Sequence, residues 1–404
     1  MSDAVYAGLQ APETDGPAVS VPVIWSDADR HHMTHALALA GRGLGRVWPN
    51  PAVGCVLVSP DGRVVGRGWT QPGGRPHGEA VALAAAGGAA RGATAYVSLE
   101  PCAHWGKTPP CADALVAAAV ARVVIATGDP DPRVSGRGME TLTRAGVTVD
   151  LGLMAAEAGA LNAGFFSRIL TGRPLVAWKV ATTLDGRIAT HNGESQWITG
   201  PEARAMGHML RASHDAIMVG VGTALADNPR LTVRVPGLED RSPVRVVIDS
   251  RLKLPLTHAL VREAARGRDT GVAPVWLVTR DDADVTRRAA LVQAGVEVLG
   301  VPDGADGRPD PLRVLEVLGQ RGITRVLLEG GGELAASLLR DRLVDRVHWF
   351  RAPVVAGGDG LAAARAYGVD HLVDMAAFER LDVLSLGPDI YETYAATGTV
   401  APRI

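Results

Sequence analysis

The sequence predicts an α/β protein with two layered domains. Its 404 residues are more than a single hydrophobic core usually organises. Short apolar segments alternate with helical segments through both halves of the chain, which is typical of α/β layers. The segment "EAGALNAGFFSRILTGRP" predicts a helix that ends at Gly172, with Pro174 beyond it. We therefore expect a tail at residues 1–25, a first domain at 26–171 and a second domain at 172–404.

The elements of the first domain follow from caps, turns and apolar periodicity. Ser26 or Asp27 is expected to cap a helix over "SDADRHHMTHALALAGRG", and glycines end it. In "AVGCVLVSPDGRVVGRGW" an Asp-Gly turn separates two apolar runs, which predicts a β-hairpin. A glycine-rich loop then leads into a helix from about His77 to Ala86. Alternating strands and helices follow in "ATAYVSL", "CADALVAAAVA", "RVVIATG" and "GMETLTRAGVTVDLGL".

The second domain shows the same alternation, and no internal repeat relates the two halves. It opens with "LVAWKVATTLDGRIAT" and continues through "HDAIMVGVGTALADNP", "VRVVIDS", "APVWLVTR", "VEVLG" and "VDRVHWFRAPVVAG". In "ITRVLLEGGGELAASLL" a loop of three glycines stands between an expected strand and an expected helix. These segments predict a second α/β sheet.

Composition argues against several classes of partner. Hydrophobic residues make up 47% of the chain and charged residues 21%, and the formal net charge is −2. Without an excess of positive charge, neither a nucleic-acid-binding stripe nor a membrane-binding surface is indicated. Residues 1–25 lack the basic and apolar regions of a signal peptide, and no apolar run of about 18 residues predicts a membrane span. We expect a cytoplasmic protein that acts on a small molecule.

Three cysteines are too few, and odd in number, for a disulfide framework. Cys102 and Cys111 could form a disulfide, pack as small apolar residues, or bind a metal together with His77. Low cysteine use fits a reducing compartment, where paired cysteines are more often ligands than bridges. Cys55 lies inside the apolar segment "AVGCVLV" and is expected to pack in the core.

One histidine and two cysteines match a catalytic zinc site, which has three protein ligands and one open position. Glu79 lies two residues after His77, close enough to exchange protons at the site without binding the metal. Cys111 is expected to open a helix, whose positive end favours a thiolate. An H-x-E motif followed by Pro-Cys and a further cysteine is the signature of zinc deaminases, in which the glutamate is the general acid and base. This chain departs from the short form of the motif, because eight residues separate Cys102 from Cys111.

The longer spacing, in "EPCAHWGKTPPC", resembles one deaminase family. It is similar to the bifunctional riboflavin-biosynthesis enzymes, the diaminohydroxyphosphoribosylaminopyrimidine deaminase / 5-amino-6-(5-phosphoribosylamino)uracil reductases. Further segments resemble the same family, and they occur in order along the chain. The resemblance extends from Ser26 almost to the C-terminus and includes "PNPAVGCVLV", "GDPDPRVSGRG", "TTLDGRIAT", "GESQWITGPEAR", "VGVGTALADNPRLTVR" and "LLEGGGELAASLL". The resemblance implies a cytidine-deaminase-like three-layer α/β/α domain followed by a dihydrofolate-reductase-like α/β domain.

For the first domain, the resemblance implies His77, Cys102 and Cys111 as ligands of one zinc ion per chain, and Glu79 as the catalytic acid and base. It implies substrate contacts from Asn50, His104, Lys107, Asp129 and Asp131. Lys107 suits a phosphate by its charge, but it could equally be a solvated loop lysine. The family's usual H-A-E-V-H is H-G-E-A-V here, so Gly78 replaces alanine and Val81 replaces the second histidine. Neither position is a ligand in the family, and Gly78 is expected to loosen the first helical turn slightly.

For the second domain, the resemblance implies NADPH as the cofactor. The loop in "LEGGGEL" could bring backbone N–H groups to a phosphate or could be an ordinary strand–helix turn. It lacks the G-x-G-x-x-G pattern, so a Rossmann domain is not indicated. The implied cofactor contacts are Ala181, Trp197, Thr223, Ser250, Gly331, Gly332, Glu333, Leu334, Ala335, Ala336 and Ser337.

The implied contacts of the reductase substrate are Lys179, Ser195, Arg211, Asp227, Leu231, Arg234 and Glu329. Arg211 and Arg234 have the forked donors that a phosphate needs. Asp227 is either a ribose partner or the start of an Asx turn before Pro229. Lys179 and Asp227 are the candidates for the proton donor.

The resemblance implies two successive reactions in a homo-oligomeric enzyme. The first domain would deaminate 2,5-diamino-6-(ribosylamino)-4(3H)-pyrimidinone 5′-phosphate, and the second would reduce the ribosyl group to ribityl. One alternative is a nucleic-acid base deaminase with a C-terminal docking domain. A second is a deaminase whose second domain is not catalytic.

Overall fold

The computed structural model describes residues 24–106, 109–270 and 273–397, with only the backbone described for 267–270. The predicted substrate contact Lys107 lies outside these residues. The helices are α1 (Asp27–Gly41), α2 (Gly78–Ala86), α3 (Cys111–Ala117), α4 (Arg137–Arg144), α5 (Ala155–Leu161), α6 (Ala163–Thr171), α7 (Pro201–Ala212), α8 (Val221–Asp227), α9 (Ala259–Thr270), α10 (Val285–Gln293), α11 (Pro311–Gln320) and α12 (Gly332–Arg340). The strands are β1 (Gly54–Val58), β2 (Val64–Trp69), β3 (Thr94–Val97), β4 (Arg122–Ile125), β5 (Thr148–Leu151), β6 (Leu175–Thr182), β7 (Arg187–Ala189), β8 (Ala216–Gly220), β9 (Val244–Ile248), β10 (Val275–Arg280), β11 (Glu297–Val301), β12 (Arg325–Leu328), β13 (Arg346–Arg351), β14 (Leu361–Ala362), β15 (Phe378–Leu386) and β16 (Asp389–Ala396).

The first half of the chain forms a five-stranded sheet in the order β2-β1-β3-β4-β5. The predicted hairpin β1–β2 is antiparallel, as is the β1–β3 pair, whereas β3, β4 and β5 run parallel. Both faces of this sheet are covered. Along β1, Cys55 and Leu57 join the core beneath α2, α3 and α4, while Val56 and Val58 join the core beneath α1 and α5. Because successive strand residues point to opposite faces, this alternation produces the predicted three-layer α/β/α domain.

The second half forms a nine-stranded sheet in the order β11-β10-β9-β8-β12-β6-β13-β16-β15. The strands from β11 to β13 are parallel, and β16 and β15 continue the sheet as antiparallel strands. A small second sheet pairs β7 with β14. The carboxyl ends of β8 and β12 are neighbours, so the turns that lead from them into α8 and α12 meet at one edge. A ligand site is expected at such an edge.

The predicted single helix before Gly172 is wrong, because the chain forms α5 and α6 with Asn162 between them. Asn162 is buried, and its side chain pairs with the backbone of Ala52. Its Oδ1 accepts a hydrogen bond from the Ala52 N–H at 2.9 Å, and its Nδ2 donates to the Ala52 carbonyl at 3.0 Å. Satisfying both groups of a buried amide fixes the position of Asn162, and the helix restarts beyond it.

The two halves of the chain contact each other through polar groups. Arg325 of β12 donates to the carbonyls of Ala160 and Leu161 at the end of α5. Arg46 forms an ion pair with Asp240 at 2.9 Å. These contacts join β12 of the second half to α5 of the first half, and a loop of each half to the other. No helix among the described residues is long and apolar enough to cross a bilayer.

Two buried histidines of the second half make its stability depend on pH. Burial lowers the pKa of His214 to about 3 and that of His348 to about 4. Between pH 6.5 and 5 the unfolded chain therefore takes up protons that the folded chain does not. We expect the free energy of unfolding to fall as the pH falls through this window, by about 2 kcal/mol per histidine. Denaturant titrations at pH 7 and pH 5 measure this loss, which should be about 2 kcal/mol smaller in His348→Gln than in the wild type. An equal loss in that variant would contradict the assignment.

Candidate active sites

The first candidate site brings together His77, Cys102 and Cys111 between α2 and α3. His77 is the residue before α2, Cys111 is the first residue of α3, and Cys102 lies in the loop after β3. His77 Nδ1 lies 3.6 Å from Cys102 Sγ and 3.3 Å from Cys111 Sγ. The three potential ligand atoms lie within 4.8 Å of one another. Among the described residues all three cysteines are free thiols, so Cys102 and Cys111 are not joined as a disulfide here.

The electrostatics of the two sulfurs differ. Hydrogen bonds from Cys111 and His77, together with the charge of His77, lower the pKa of Cys102 to about 4 despite its burial. The backbone N–H of Cys111 donates to Cys102 Sγ at 3.3 Å, as expected where a helix begins. The pKa of Cys111 is raised by its contact with Cys102 and by burial. Of the two sulfurs, Cys102 is therefore the one that loses its proton more readily.

Glu79 is buried beside this cluster, with 2% of its surface exposed. Burial raises the pKa of its carboxyl to about 7. Its Oε2 has no hydrogen-bond partner among the described residues. A buried carboxylate oxygen without a partner normally indicates an ion, a water molecule or a functional role. Soft sulfur and nitrogen donors beside such an oxygen fit a zinc ion with one open position.

The backbone around the site is packed closely enough to require glycine at position 78. A Cβ atom on Gly78 would lie 2.7 Å from the carbonyl oxygen of Val53. The start of α2 therefore rests directly on the end of the loop before β1. Gly78 is buried in this contact, so its expected loosening of the helical turn is opposed by packing.

The other predicted contacts of this site differ in their burial and in their hydrogen bonds. Asp129 and Asp131 are buried in the loop after β4, and the Asp131 N–H donates to Asp129 Oδ1 at 2.8 Å. Burial raises the pKa of Asp129 to about 7. Asn50 donates through Nδ2 to the carbonyl of Gly74 at 2.8 Å. His104 is partly buried, and its Nδ1 has no partner among the described residues.

Glu100 is a residue of this region that the sequence did not indicate. Its buried carboxylate accepts hydrogen bonds from the N–H groups of Gly136, Gly138 and Met139 at 3.0 to 3.3 Å. It therefore caps α4 and fixes the loop that carries Asp129 and Asp131. Glu100 lies just before Pro101 and Cys102. The same short segment therefore fixes both the potential metal ligand Cys102 and the loop after β4. Its position directly before the Pro-Cys pair is the only sequence feature that marks it.

The second candidate site is a cavity of about 1380 Å³ at the carboxyl ends of β6, β8, β9 and β12. Most residues predicted for the cofactor and the second substrate line it: Lys179, Ala181, Ser195, Trp197, Arg211, Thr223, Asp227, Leu231, Arg234, Ser250, Glu329, Gly331, Gly332, Glu333, Leu334 and Ser337. Ala335 and Ala336 do not. They are buried on the inner side of α12, so their predicted contact with a cofactor is not supported.

The cavity is cationic although the chain is not. Nine arginine and lysine residues line it against five carboxylates, while the whole chain has a net charge of −2. Walls of one charge sign focus the field inside a cleft and attract ligands of opposite charge. The cavity therefore suits an anionic ligand with several phosphates.

The glycine loop between β12 and α12 adds backbone donors to this cavity. Gly330 has a φ of 92°, which favours glycine. The N–H of Gly331 donates to Thr223 Oγ1 at 2.8 Å. Gly331 precedes the first residue of α12 and lines the cavity together with Gly332 and Glu333, so the start of this nine-residue helix lies at the cavity wall. Such a helix start attracts phosphate.

Arg211 is paired more tightly than its predicted role implies. Its Nε and Nη2 donate to the two carboxylate oxygens of Glu329 at 2.8 and 2.7 Å, and its Nη1 donates to the Thr232 carbonyl. Burial alone would raise the pKa of Glu329, but Arg211 and Lys179 lower it to about 2. The guanidinium fork is thus occupied and is not open to a phosphate. Arg234 has no such ion pair among the described residues.

Asp227 ends α8 and faces the cavity. Burial raises the pKa of its carboxyl, and none of the described residues forms a hydrogen bond with that carboxyl. The alternative Asx turn before Pro229 is therefore not formed. The carboxyl is free to meet a ligand.

Comparisons with known proteins match both halves of the chain. The model for the cytidine and deoxycytidylate deaminase zinc-binding region matches residues 26–127, and the model for the RibD C-terminal domain matches residues 174–391. The riboflavin biosynthesis protein RibD of Escherichia coli is 41% identical over 374 residues, which cover 90% of this chain and 98% of that protein.

Two solved structures are similar over most of both chains. RibD of Acinetobacter baumannii superposes with a TM-score of 0.81 at 38% identity, covering 92% of this chain and 99% of that one. The Thermotoga maritima diaminohydroxyphosphoribosylaminopyrimidine deaminase / 5-amino-6-(5-phosphoribosylamino)uracil reductase has a TM-score of 0.79 at 34% identity, covering 91% and 99%. These matches confirm the predicted fold classes of both domains. The chain therefore belongs to the RibD family of riboflavin biosynthesis proteins, and it is a bifunctional enzyme that joins a zinc-dependent deaminase domain to a reductase domain.

Proposed function

We propose that the first domain deaminates 2,5-diamino-6-(ribosylamino)-4(3H)-pyrimidinone 5′-phosphate, and that the second domain then reduces the ribosyl group with NADPH. The final product is 5-amino-6-(ribitylamino)uracil 5′-phosphate. The activity named for the Thermotoga maritima protein supports this assignment. The single observation that carries it is the occurrence, in one chain, of the His77, Cys102 and Cys111 cluster and the cationic cavity.

In the deaminase step, His77, Cys102 and Cys111 hold the zinc ion. When bound, zinc supplies a Lewis acid that makes water nucleophilic at neutral pH. Glu79 accepts one proton from the attacking water on its unpartnered carboxylate oxygen and passes it to the ring nitrogen beside C2, and it then carries the second water proton to the departing amino group. The C2–N bond breaks, a C2–O bond forms, and ammonia leaves. The buried position of Glu79 keeps this proton between water and the amine.

The remaining residues of the first site orient the pyrimidine and its phosphate. Asn50, Asp129 and Asp131 offer amide and carboxyl groups to the ring edges. His104 and Lys107 belong to the segment between the two cysteine ligands. Their place in the chain fits contacts with the ribose phosphate beside the metal.

In the reductase step, the cavity holds NADPH and the deaminated intermediate together. The glycine loop before α12 would hold the cofactor phosphates, and Trp197 offers an exposed aromatic face at the cavity wall. The excess of cations favours NADPH over NADH, because NADPH carries one more phosphate. A hydride moves to C1′ of the sugar as the ring opens, and the ring oxygen takes a proton. Lys179 and Asp227 are the titratable groups proposed to supply that proton.

Gly330→Ala tests the phosphate role of this loop. The added Cβ would lie 2.6 Å from Thr223 Cγ2 and 2.7 Å from Thr223 Oγ1, in a backbone conformation that alanine resists. We expect the KM for NADPH to rise at least about tenfold, a loss of 1.4 kcal/mol, with ammonia release unchanged. Gly358→Ala is the control, since a Cβ there meets no atom within 4 Å. Equal KM values for NADPH in the two variants would show that this loop does not bind the cofactor.

We also propose a homo-oligomer that works in the cytoplasm. The edge strand β15 has exposed apolar side chains, including Leu381, Val383 and Leu384. An uncovered edge strand with apolar residues favours pairing with a second copy. Thiolate ligands such as Cys102 and Cys111 favour a reducing compartment. Sedimentation analysis tests the oligomer, and a monomer at micromolar concentration would contradict it.

The experiment that tests the two activities follows two signals in one reaction. Wild-type enzyme is given the diaminopyrimidinone ribosyl phosphate, ammonia is measured, and NADPH absorbance is recorded separately. We expect one ammonia and one oxidised NADPH for each substrate consumed. Ammonia without NADPH oxidation would contradict the proposed role of the second domain.

A further inference from the structure

A second cluster of potential metal ligands lies on α1, where His31, His32 and His35 fall within five residues. One ligand nitrogen from each lies within 4.8 Å of the other two. The rings of His31 and His35 are closest, with centroids 4.3 Å apart, and His31 and His32 are 5.4 Å apart. Residues four apart on a helix share a face, which explains the His31–His35 contact. His32 comes from the adjacent face and closes the group.

Two nitrogens of this cluster have no protein partner. The Nδ1 atoms of His32 and His35 are buried, and neither forms a hydrogen bond with any described residue. Buried ring nitrogens usually have a partner, and an exception points to a water molecule or an ion. The outer side of the cluster is open, because His31 is exposed. An ion would therefore enter the cluster from the side of His31.

The cluster is separate from the deaminase site. The packed face of α1 contributes Met33, Ala36 and Leu37 to the core on one side of the five-stranded sheet. The helices α2 and α3, which carry the deaminase ligands, pack on the opposite side through Ala82 and Leu115. The two sets of ligands therefore belong to different layers, and one ion cannot serve both.

We propose that His31, His32 and His35 form a second metal site, which binds one late first-row divalent ion such as zinc or nickel. Imidazole is a ligand that these ions prefer, whereas magnesium and calcium need oxygen ligands. Nitrogen–zinc distances of about 2.1 Å in a tetrahedron separate the ligand nitrogens by roughly 3.4 Å. The ligand nitrogens lie within 4.8 Å of one another, so small rotations of the three imidazoles would bring them to that value. Water completes the coordination, since no carboxylate belongs to the cluster.

The bound ion would tie two turns of α1 together and link them toward the sheet. His31 and His35 span one turn, and the ring of His32 lies 5.1 Å from that of Tyr96 on β3. An ion that binds only the folded arrangement stabilises it by mass action. We therefore expect added zinc to raise the melting temperature of the zinc-loaded enzyme.

The test counts ions that bind beyond the deaminase zinc. Wild-type enzyme, purified without chelator and dialysed to constant zinc content, is titrated calorimetrically with Zn²⁺ and separately with Ni²⁺. We expect one further ion per chain. The double variant His31→Ala/His35→Ala should weaken that binding by at least about tenfold, lose the melting-temperature rise and keep its ammonia release. Alanine preserves the helix, so folding is retained.

His191→Ala provides the matched control, because His191 is exposed and lies outside the cluster. It should bind the further ion as the wild type does. No further ion in the wild type, or an unchanged titration in the double variant, would overturn the proposal.

Discussion

Glu79→Gln is expected to abolish ammonia release while the protein keeps its zinc. Glutamine fills the same buried position but cannot accept a proton from water or deliver one to the leaving amine. General acid–base catalysis by a positioned group contributes on the order of 10² to 10⁴ in rate, so the deamination rate should fall by at least about a hundredfold. The zinc ligands His77, Cys102 and Cys111 are unchanged, so the metal content should match that of the wild type.

The matched control for this variant is Asp113→Asn. Asp113 is an exposed carboxylate in the first turn of α3, so it is near the cluster but outside the proposed chemistry. Its substitution should leave ammonia release within about twofold of the wild type. Turnover at the wild-type rate in Glu79→Gln would show that Glu79 does not act in the catalytic step. Loss of zinc from that variant would show that Glu79 acts by maintaining the metal site, which would contradict its role as the acid and base.

Arg211→Ala is expected to destabilise the reductase half and to stop NADPH oxidation. Arg211 and Glu329 form a two-point ion pair whose side chains are 15% and 11% exposed. Removing the guanidinium leaves a buried carboxylate without its two-point partner. Breaking one side of a buried pair costs about 3 to 5 kcal/mol. Denaturant unfolding should show that loss, and the cavity wall around Glu329 should no longer hold a substrate.

Arg234→Ala separates this effect from the general loss of a cation. Arg234 lines the same cavity but forms no ion pair among the described residues. Its substitution should raise the KM of the reductase substrate with the free energy of unfolding changed by less than about 1 kcal/mol. Arg211→Lys should recover only part of the stability, because an ammonium cannot match the two-point geometry. Equal stability of Arg211→Ala and Arg234→Ala would contradict the proposed role of the pair.

The zinc cluster could be predicted from the sequence because its signature is local. His77 and Glu79 are two residues apart, and both cysteines follow prolines at chain reversals. The helix start at Cys111 is predicted from the sequence for the same reason. The alternation of strands and helices likewise predicted both α/β layers.

Other features depend on residues far apart in the chain. Arg211 and Glu329 are 118 positions apart, and Asn162 is fixed by Ala52, which is 110 positions away. No local pattern reveals that the Arg211 guanidinium is already paired with a carboxylate. Nor does one reveal that the backbone of a residue distant in sequence interrupts a helix at Asn162. Glu100 directly precedes the Pro-Cys pair, and nothing local predicts that its carboxylate caps α4. The hairpin of β15 and β16 is not among the predicted elements, although Gly387 and Pro388 give a turn signal between its strands.

The central claim is that His77, Cys102 and Cys111 hold the metal on which deamination depends. Zinc analysis of exhaustively dialysed wild-type enzyme and of Cys102→Ser, paired with an ammonia assay, tests it most directly. We expect one retained zinc ion per chain in the wild type, and loss of both zinc and ammonia release in the variant, with NADPH oxidation of the deaminated intermediate preserved. Ammonia release at the wild-type rate from protein without zinc would contradict the claim.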